Sequence, residues 1–169
     1  MSAREITGGA MMAAAAVVLM AVSVVIPTLS ITCAAFSGFI IMFAYLKWGM
    51  KTALLSYVTA SLLGILLLPN KEAAILFAVL YGQYPMIKAA IEQKSGKLRA
   101  FALKALYFNA DMLLIYFFVS RVLGFQIIEP NMPLSFAFVF MNVIFLIYDY
   151  TFSPLMKILR QRFFKFLWR

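Results

Sequence analysis

The stretch GGAMMAAAAVVLMAVSVVIP, residues 8–27, holds no charged side chain over 20 positions and is preceded by Arg4. A run of that length matches the ~20 residues an α-helix needs to cross hydrocarbon, and it exceeds the 7–15-residue apolar core of a secretory signal. Five further apolar stretches follow it, at 33–46, 52–68, 73–91, 100–123 and 134–159. The first stretch therefore reads as a retained helix. The expected fold is all-α: a polytopic membrane protein of six transmembrane helices, forming one membrane domain over residues 1–169.

Composition leads to the same class. The chain is 65% hydrophobic and 12% charged, with a mean hydropathy of +0.97, whereas soluble domains carry about 25% charged residues. Charge also sets the orientation. Of 15 basic residues, Arg4, Lys47, Lys51, Lys88, Lys94, Lys97, Arg99, Lys104, Lys157, Arg160, Arg162, Lys165 and Arg169 fall on one side. Lys71 and Arg121 fall on the other. Positively charged flanks stay inside, so both termini are expected in the cytoplasm. The net charge of +9 sits at span ends and in a basic, aromatic tail (160–169) expected to lie along the inner headgroup layer. Such placement points to anionic lipid and away from nucleic acid.

Lys47-Trp48-Gly49-Met50-Lys51 marks an inner interface and tight turn, 28–32 an uncharged outer turn or partly inserted loop, and 92–99 a polar basic linker around Gly96. Pro85 is expected to kink span four. Spans two and three, at about 14 and 17 residues, fall short of the usual crossing length. Either the bilayer thins around them or one of them is re-entrant.

The polar residues inside the spans are the candidates for function, because a buried carboxyl in hydrocarbon costs several kcal/mol unless paired, hydrated or protonated. Counting ~1.5 Å per residue from the span ends puts Gln83, Asn109 and Asp149 at a common depth, with Tyr84, Tyr107, Tyr148 and Tyr150 near that level and Asp111 slightly deeper. They are expected to form a hydrogen-bonded layer tying spans four, five and six, either as structural glue or as a ligand- or proton-linked site. Lys88 or Lys104 is a potential partner for Asp149. Towards the outside, Asn70, Glu72, Arg121, Glu129, Asn131 and Asn142 are candidate ligand contacts or ordinary loop residues. A Glu72–Arg121 pair would suit the mouth of a small-molecule pocket.

Catalysis and metal binding find no support. There is no His and a single Cys, Cys33, so neither a disulfide within the chain nor a Cys/His zinc site can be assembled. No nucleophile and base pair is recognisable, and no cofactor is expected. The chain reads as a non-enzyme.

Gly9 with Ala13, and Ala10 with Ala14, form small-xxx-small pairs that let another helix approach closely in lipid. The neighbour is either a helix of the same chain or a separate protein. Arg4, a small-residue first helix ending at Pro27, short second and third helices and six spans in about 170 residues together resemble the substrate-binding S component of energy-coupling factor transporters. In that family, Ala-xxx-Ala patterns on the first helix contact a transmembrane coupling subunit. The resemblance implies partner contacts at Gly9, Ala10, Ala13 and Ala14, associated ATPases, a vitamin-like micronutrient substrate and residence in a bacterial cytoplasmic membrane. The family usually holds substrate in the outer half, whereas the expected polar layer is deeper. A membrane scaffold similar to the small membrane subunit of the rod-shape machinery, binding proteins and no solute, is the alternative.

Overall fold

The computed structural model describes residues 1–121 and 134–167, with the main chain alone described at 97, 118–121, 134, 137, 159–160 and 162–167. These residues are helical almost throughout, and no strand occurs among them. In order, α1 is Ala3–Val25, a 3₁₀ turn is Pro27–Leu29, α2 is Ser30–Trp48, α3 is Met50–Leu67, α4 is Lys71–Leu76, a π-helical segment is Phe77–Tyr81, α5 is Tyr84–Lys94, α6 is Lys97–Arg121 and α7 is Leu134–Leu167. Six helical stretches are long and apolar enough to cross a membrane: Ala3–Val25, Pro27–Trp48, Met50–Leu67, Lys71–Lys94, Leu98–Phe117 and Phe138–Ile158. The protein is a six-span, all-α membrane protein.

The second and third spans are longer than the apolar run suggests, at 22 and 18 residues. The expected outer turn at 28–32 is helical: Pro27–Leu29 leads directly into α2, with Ser30 donating to the Pro27 carbonyl at 2.7 Å. At the other end of α2, Lys47 and Trp48 belong to its last turn rather than to a loop. Long amphipathic side chains can reach the interface from within a helix, so charge marks the interface without marking the helix end. Gly49 alone makes the α2–α3 turn. Its φ of +85° lies in the left-handed region that a Cβ disfavours.

The basic tail is not a separate segment either. The main chain continues helically to Leu167, and nothing between 155 and 167 is Gly or Pro to stop it. At 34 residues, α7 is about 51 Å long against ~30 Å of hydrocarbon.

The chain forms two compact units, Met1–Ala90 with Pro154–Arg169, and Ile91–Ser153. The first division falls beside the linker that begins at Glu92. Within the first unit, α1, α2 and α3 pack together. The N-terminus of α1 is closed by a capping box, in which Glu5 N–H donates to Ser2 Oγ and Ser2 N–H donates to Glu5 Oε2. Gly8, Gly9, Ala13, Ala16, Met20 and Ser23 form the buried stripe of α1. From Gly9 onward the steps of four, three, four and three give a period near 3.5, the spacing of a helix-packing seam.

Small residues let the backbones close up along that seam, and serines bind across it. Ser37 Oγ on α2 donates to the Ala16 carbonyl at 3.1 Å, and Ser56 Oγ on α3 donates to the Gly9 carbonyl at 2.9 Å. Each serine also bonds the carbonyl four residues back on its own helix. A methyl on Gly8 would overlap the Trp48 indole, so that contact requires glycine.

Candidate functional site: the first-helix face and the intramembrane polar groups

The four small residues of α1 do not share one role. Gly9 and Ala13 are buried in the α1–α3 and α1–α2 packing, whereas Ala10 and Ala14 are exposed, together with Thr7 and Val18. Successive residues on a helix lie about 100° apart, so two adjacent small-xxx-small pairs mark two different faces. The inner pair is used within the chain. The outer pair remains as a smooth stripe on the surface.

In the second unit, the expected single polar layer resolves into separate rungs. On the α6–α7 seam, Asn109 Nδ2 donates to Asn142 Oδ1 at 3.0 Å and Asn142 Nδ2 donates back to Asn109 Oδ1 at 3.1 Å. Each amide also donates to the carbonyl four residues before it, that of Ala105 or Phe138. Both N–H donors of each NH₂ are therefore engaged. Asn142, placed by sequence among the outer ligand candidates, has its amide committed to Asn109. Phe108 and Phe145 stack along the same seam with ring centroids 4.2 Å apart.

The second rung is ionic. Lys104 on α6 has its Nζ 2.7 Å from Asp149 Oδ2 on α7 and 3.1 Å from Glu92 Oε1 at the end of α5. The Lys104 side chain is 9% exposed and Asp149 14%, while Glu92 is 40% exposed. Within the second unit, Glu92 and Asp149 are thus tied through one lysine, with Glu92 as a member that depth counting missed. Sequence did offer a signal, since Glu92 is the only acidic residue in the 92–99 linker. An isolated ammonium at this position would be costly, and two carboxylates offset that cost. Among the described residues no group of three or more His, Cys, Asp or Glu is disposed to hold a metal.

Asp111 lies on the buried stripe of α6, which runs Ala100, Lys104, Phe108, Asp111 and Ile115. In the first unit, Gln83 bonds within its own span. Its Nε2 donates to the Val79 carbonyl, one turn back. Tyr84 is 2% exposed, with Lys88 Nζ 5.9 Å from its ring centroid. The expected kink at Pro85 is better placed a few residues earlier, because the π segment ends at Tyr81 and Pro85 occupies the second position of α5. There proline is tolerated, since a first-turn N–H has no partner within the helix.

Of the residues expected on the outer side, Asn70 caps α4, its Oδ1 accepting from Glu72 N–H at 3.1 Å, and Glu72 is exposed. Lys71 Nζ donates to the Ile65 carbonyl at 2.6 Å. Arg121 ends α6, but its side chain, and Glu129 and Asn131 entirely, lie outside the described residues. The expected Glu72–Arg121 pairing therefore lies outside the described residues.

No protein-family model, no curated protein and no solved structure matches the chain.

Proposed function

We propose that this chain is the substrate-binding S component of an energy-coupling factor importer, a non-enzymatic subunit of a bacterial cytoplasmic membrane. It would capture a micronutrient outside and be coupled by a transmembrane subunit to ATPases. The observation that carries the reading is the division of the first helix: Gly9 and Ala13 face inward, leaving Ala10 and Ala14 as an exposed stripe of small side chains. Helices associate in lipid through such surfaces, because small side chains permit close backbone approach where no hydrophobic drive exists.

The test is the double substitution Ala10→Leu with Ala14→Leu, in cells that also produce the coupling subunit and ATPases. Both positions are exposed, so the variant is expected to accumulate normally and to retain solute, while losing co-purification with the coupling subunit. Undiminished recovery of the partner removes this face from the mechanism. Mass spectrometry of the chain purified with its native ligand tests the substrate half of the reading directly.

A scaffold that binds proteins and no solute is the second reading. It is favoured by the internal commitment of polar groups in the second unit, where the two asparagines satisfy one another and Lys104 is held by two carboxylates. Purification without any small molecule, together with retained partner binding, would favour the scaffold.

A further inference from the structure

We infer that residues 77–85 form a hinge in the middle of the fourth span, and that the Tyr57 hydroxyl is its latch. The span Lys71–Lys94 is 24 residues long, and its helix changes character at the centre. Phe77–Tyr81 is π-helical, with Gly82 N–H bonding to the Phe77 carbonyl at 2.7 Å, and α5 then restarts at Tyr84. Pro85 has no N–H to offer the Tyr81 carbonyl. The Gln83 carbonyl takes both Met86 and Ile87 N–H, at 3.1 and 3.2 Å, as the first turn of a new helix. A π-bulge, a recognised cause of helix bending, is therefore followed by a glycine and by a proline that opens a new helix, all within nine residues.

A break in hydrocarbon persists only when its backbone groups are covered, since each uncovered one costs several kcal/mol. Two side chains supply cover here. Tyr57 Oη, on α3, donates to the Ala78 carbonyl at 2.5 Å, and Gln83 Nε2 donates to the Val79 carbonyl. Tyr57 also holds the segment by packing. A Cβ on Gly82 would come within 2.7 Å of the Tyr57 ring and 2.8 Å of the Phe77 carbonyl oxygen, and the Tyr57 and Phe77 rings lie 6.0 Å apart. One donor belongs to the bending segment and the other to the neighbouring helix, so the second fixes the angle between the half-helices.

The half-helix α5 has 11 residues, about 16 Å, so a change in bend of about 20° moves its far end by about 5 Å. The experiment places spin labels at Glu72→Cys and Lys94→Cys, both exposed, in a Cys33→Ala background, and reads the distance distribution in lipid nanodiscs. A control pair at Arg99→Cys and Leu113→Cys spans the uninterrupted α6. Tyr57→Phe keeps the ring and removes the donor; Gln83→Leu removes the other donor. Because bending swings the end sideways more than it shortens the span, each is expected to broaden or displace the 72–94 distribution by about 1–2 Å and to leave the α6 pair unchanged. Unaltered 72–94 distributions in both variants overturn the hinge, as does equal broadening of the α6 pair. Loss of folded Tyr57→Phe protein with an unaltered Gln83→Leu distribution assigns the hydroxyl to stability alone and overturns the latch.

Discussion

A double-mutant cycle on Asn109 and Asn142 tests the central seam of the second unit. The variants are Asn109→Leu, Asn142→Leu and their combination, chosen because leucine shares the branch at Cγ and offers no donor. The pair makes two reciprocal bonds, at 3.0 and 3.1 Å. Interhelical hydrogen bonds in a bilayer average ~0.6 kcal/mol, with a maximum of ~1.7. The coupling energy should therefore be about 1.2 kcal/mol and should stay below about 3.5. Each single variant leaves the surviving amide bonded to its own helix through the Ala105 or Phe138 carbonyl, which keeps the single losses moderate. The double variant should cost clearly less than the sum of the two. Reversible unfolding in bicelles by steric trapping measures all four corners of the cycle. Coupling within the ~0.3–0.5 kcal/mol scatter of independent sites would refute the pairing. Loss of solute binding in Asn142→Leu at unchanged stability would refute the structural role given to it here.

Lys104→Met should be the most damaging single change in the second unit, at about 3 kcal/mol, near the low end of the range for orphaning a buried ion partner because Glu92 is partly exposed. The same unfolding assay should show Asp149→Asn to be milder, and near-equal losses would argue against a lysine-centred cluster. Gly8→Ala should destabilise by about 1–3 kcal/mol through overpacking against the Trp48 indole. Trp48→Ala in the same chain should recover part of that loss, and full additivity would show that the two do not touch. For orientation, an impermeant thiol reagent applied to intact cells in a Cys33→Ala background should label Asn70→Cys and spare Ser95→Cys; the reverse pattern would invert the topology.

The number of spans was legible because twenty-residue apolar runs and one-sided basic residues are governed by hydrocarbon thickness and membrane charge, which act on sequence directly. Helix ends were less legible. Lys47 and Trp48, read as part of a turn, belong to the last turn of α2, and Pro27 begins a 3₁₀ turn rather than a loop. Polar pairing was partly legible: Lys104 and Asp149 were candidate partners, but equal depth did not pair Asn109 with Asp149, which bond to Asn142 and Lys104 instead. Depth is one coordinate and helix rotation is another, and residues on the same level meet only when both agree. That is also why Gly9 and Ala10, adjacent in sequence, lie on opposite sides of the boundary between interior and surface. The π segment carried no sequence signal beyond Gly82 and Pro85, since it depends on a cap supplied by another helix.

The α6–α7 seam has a consequence for how the two helices can vary. Asn109 with Asn142 and Lys104 with Asp149 are separate dowels, with the Phe108–Phe145 stack between them. They lie five residues apart on one helix and seven on the other. A single pin would still let one helix slide or roll against its neighbour; two pins of different chemistry leave one register, because an amide displaced by a turn would meet hydrocarbon or the wrong charge. Substitutions along this seam should therefore arise in matched couples, Asn109 with Asn142 and Lys104 with Asp149, while the exposed positions Leu106, Leu113 and Ile147 drift independently.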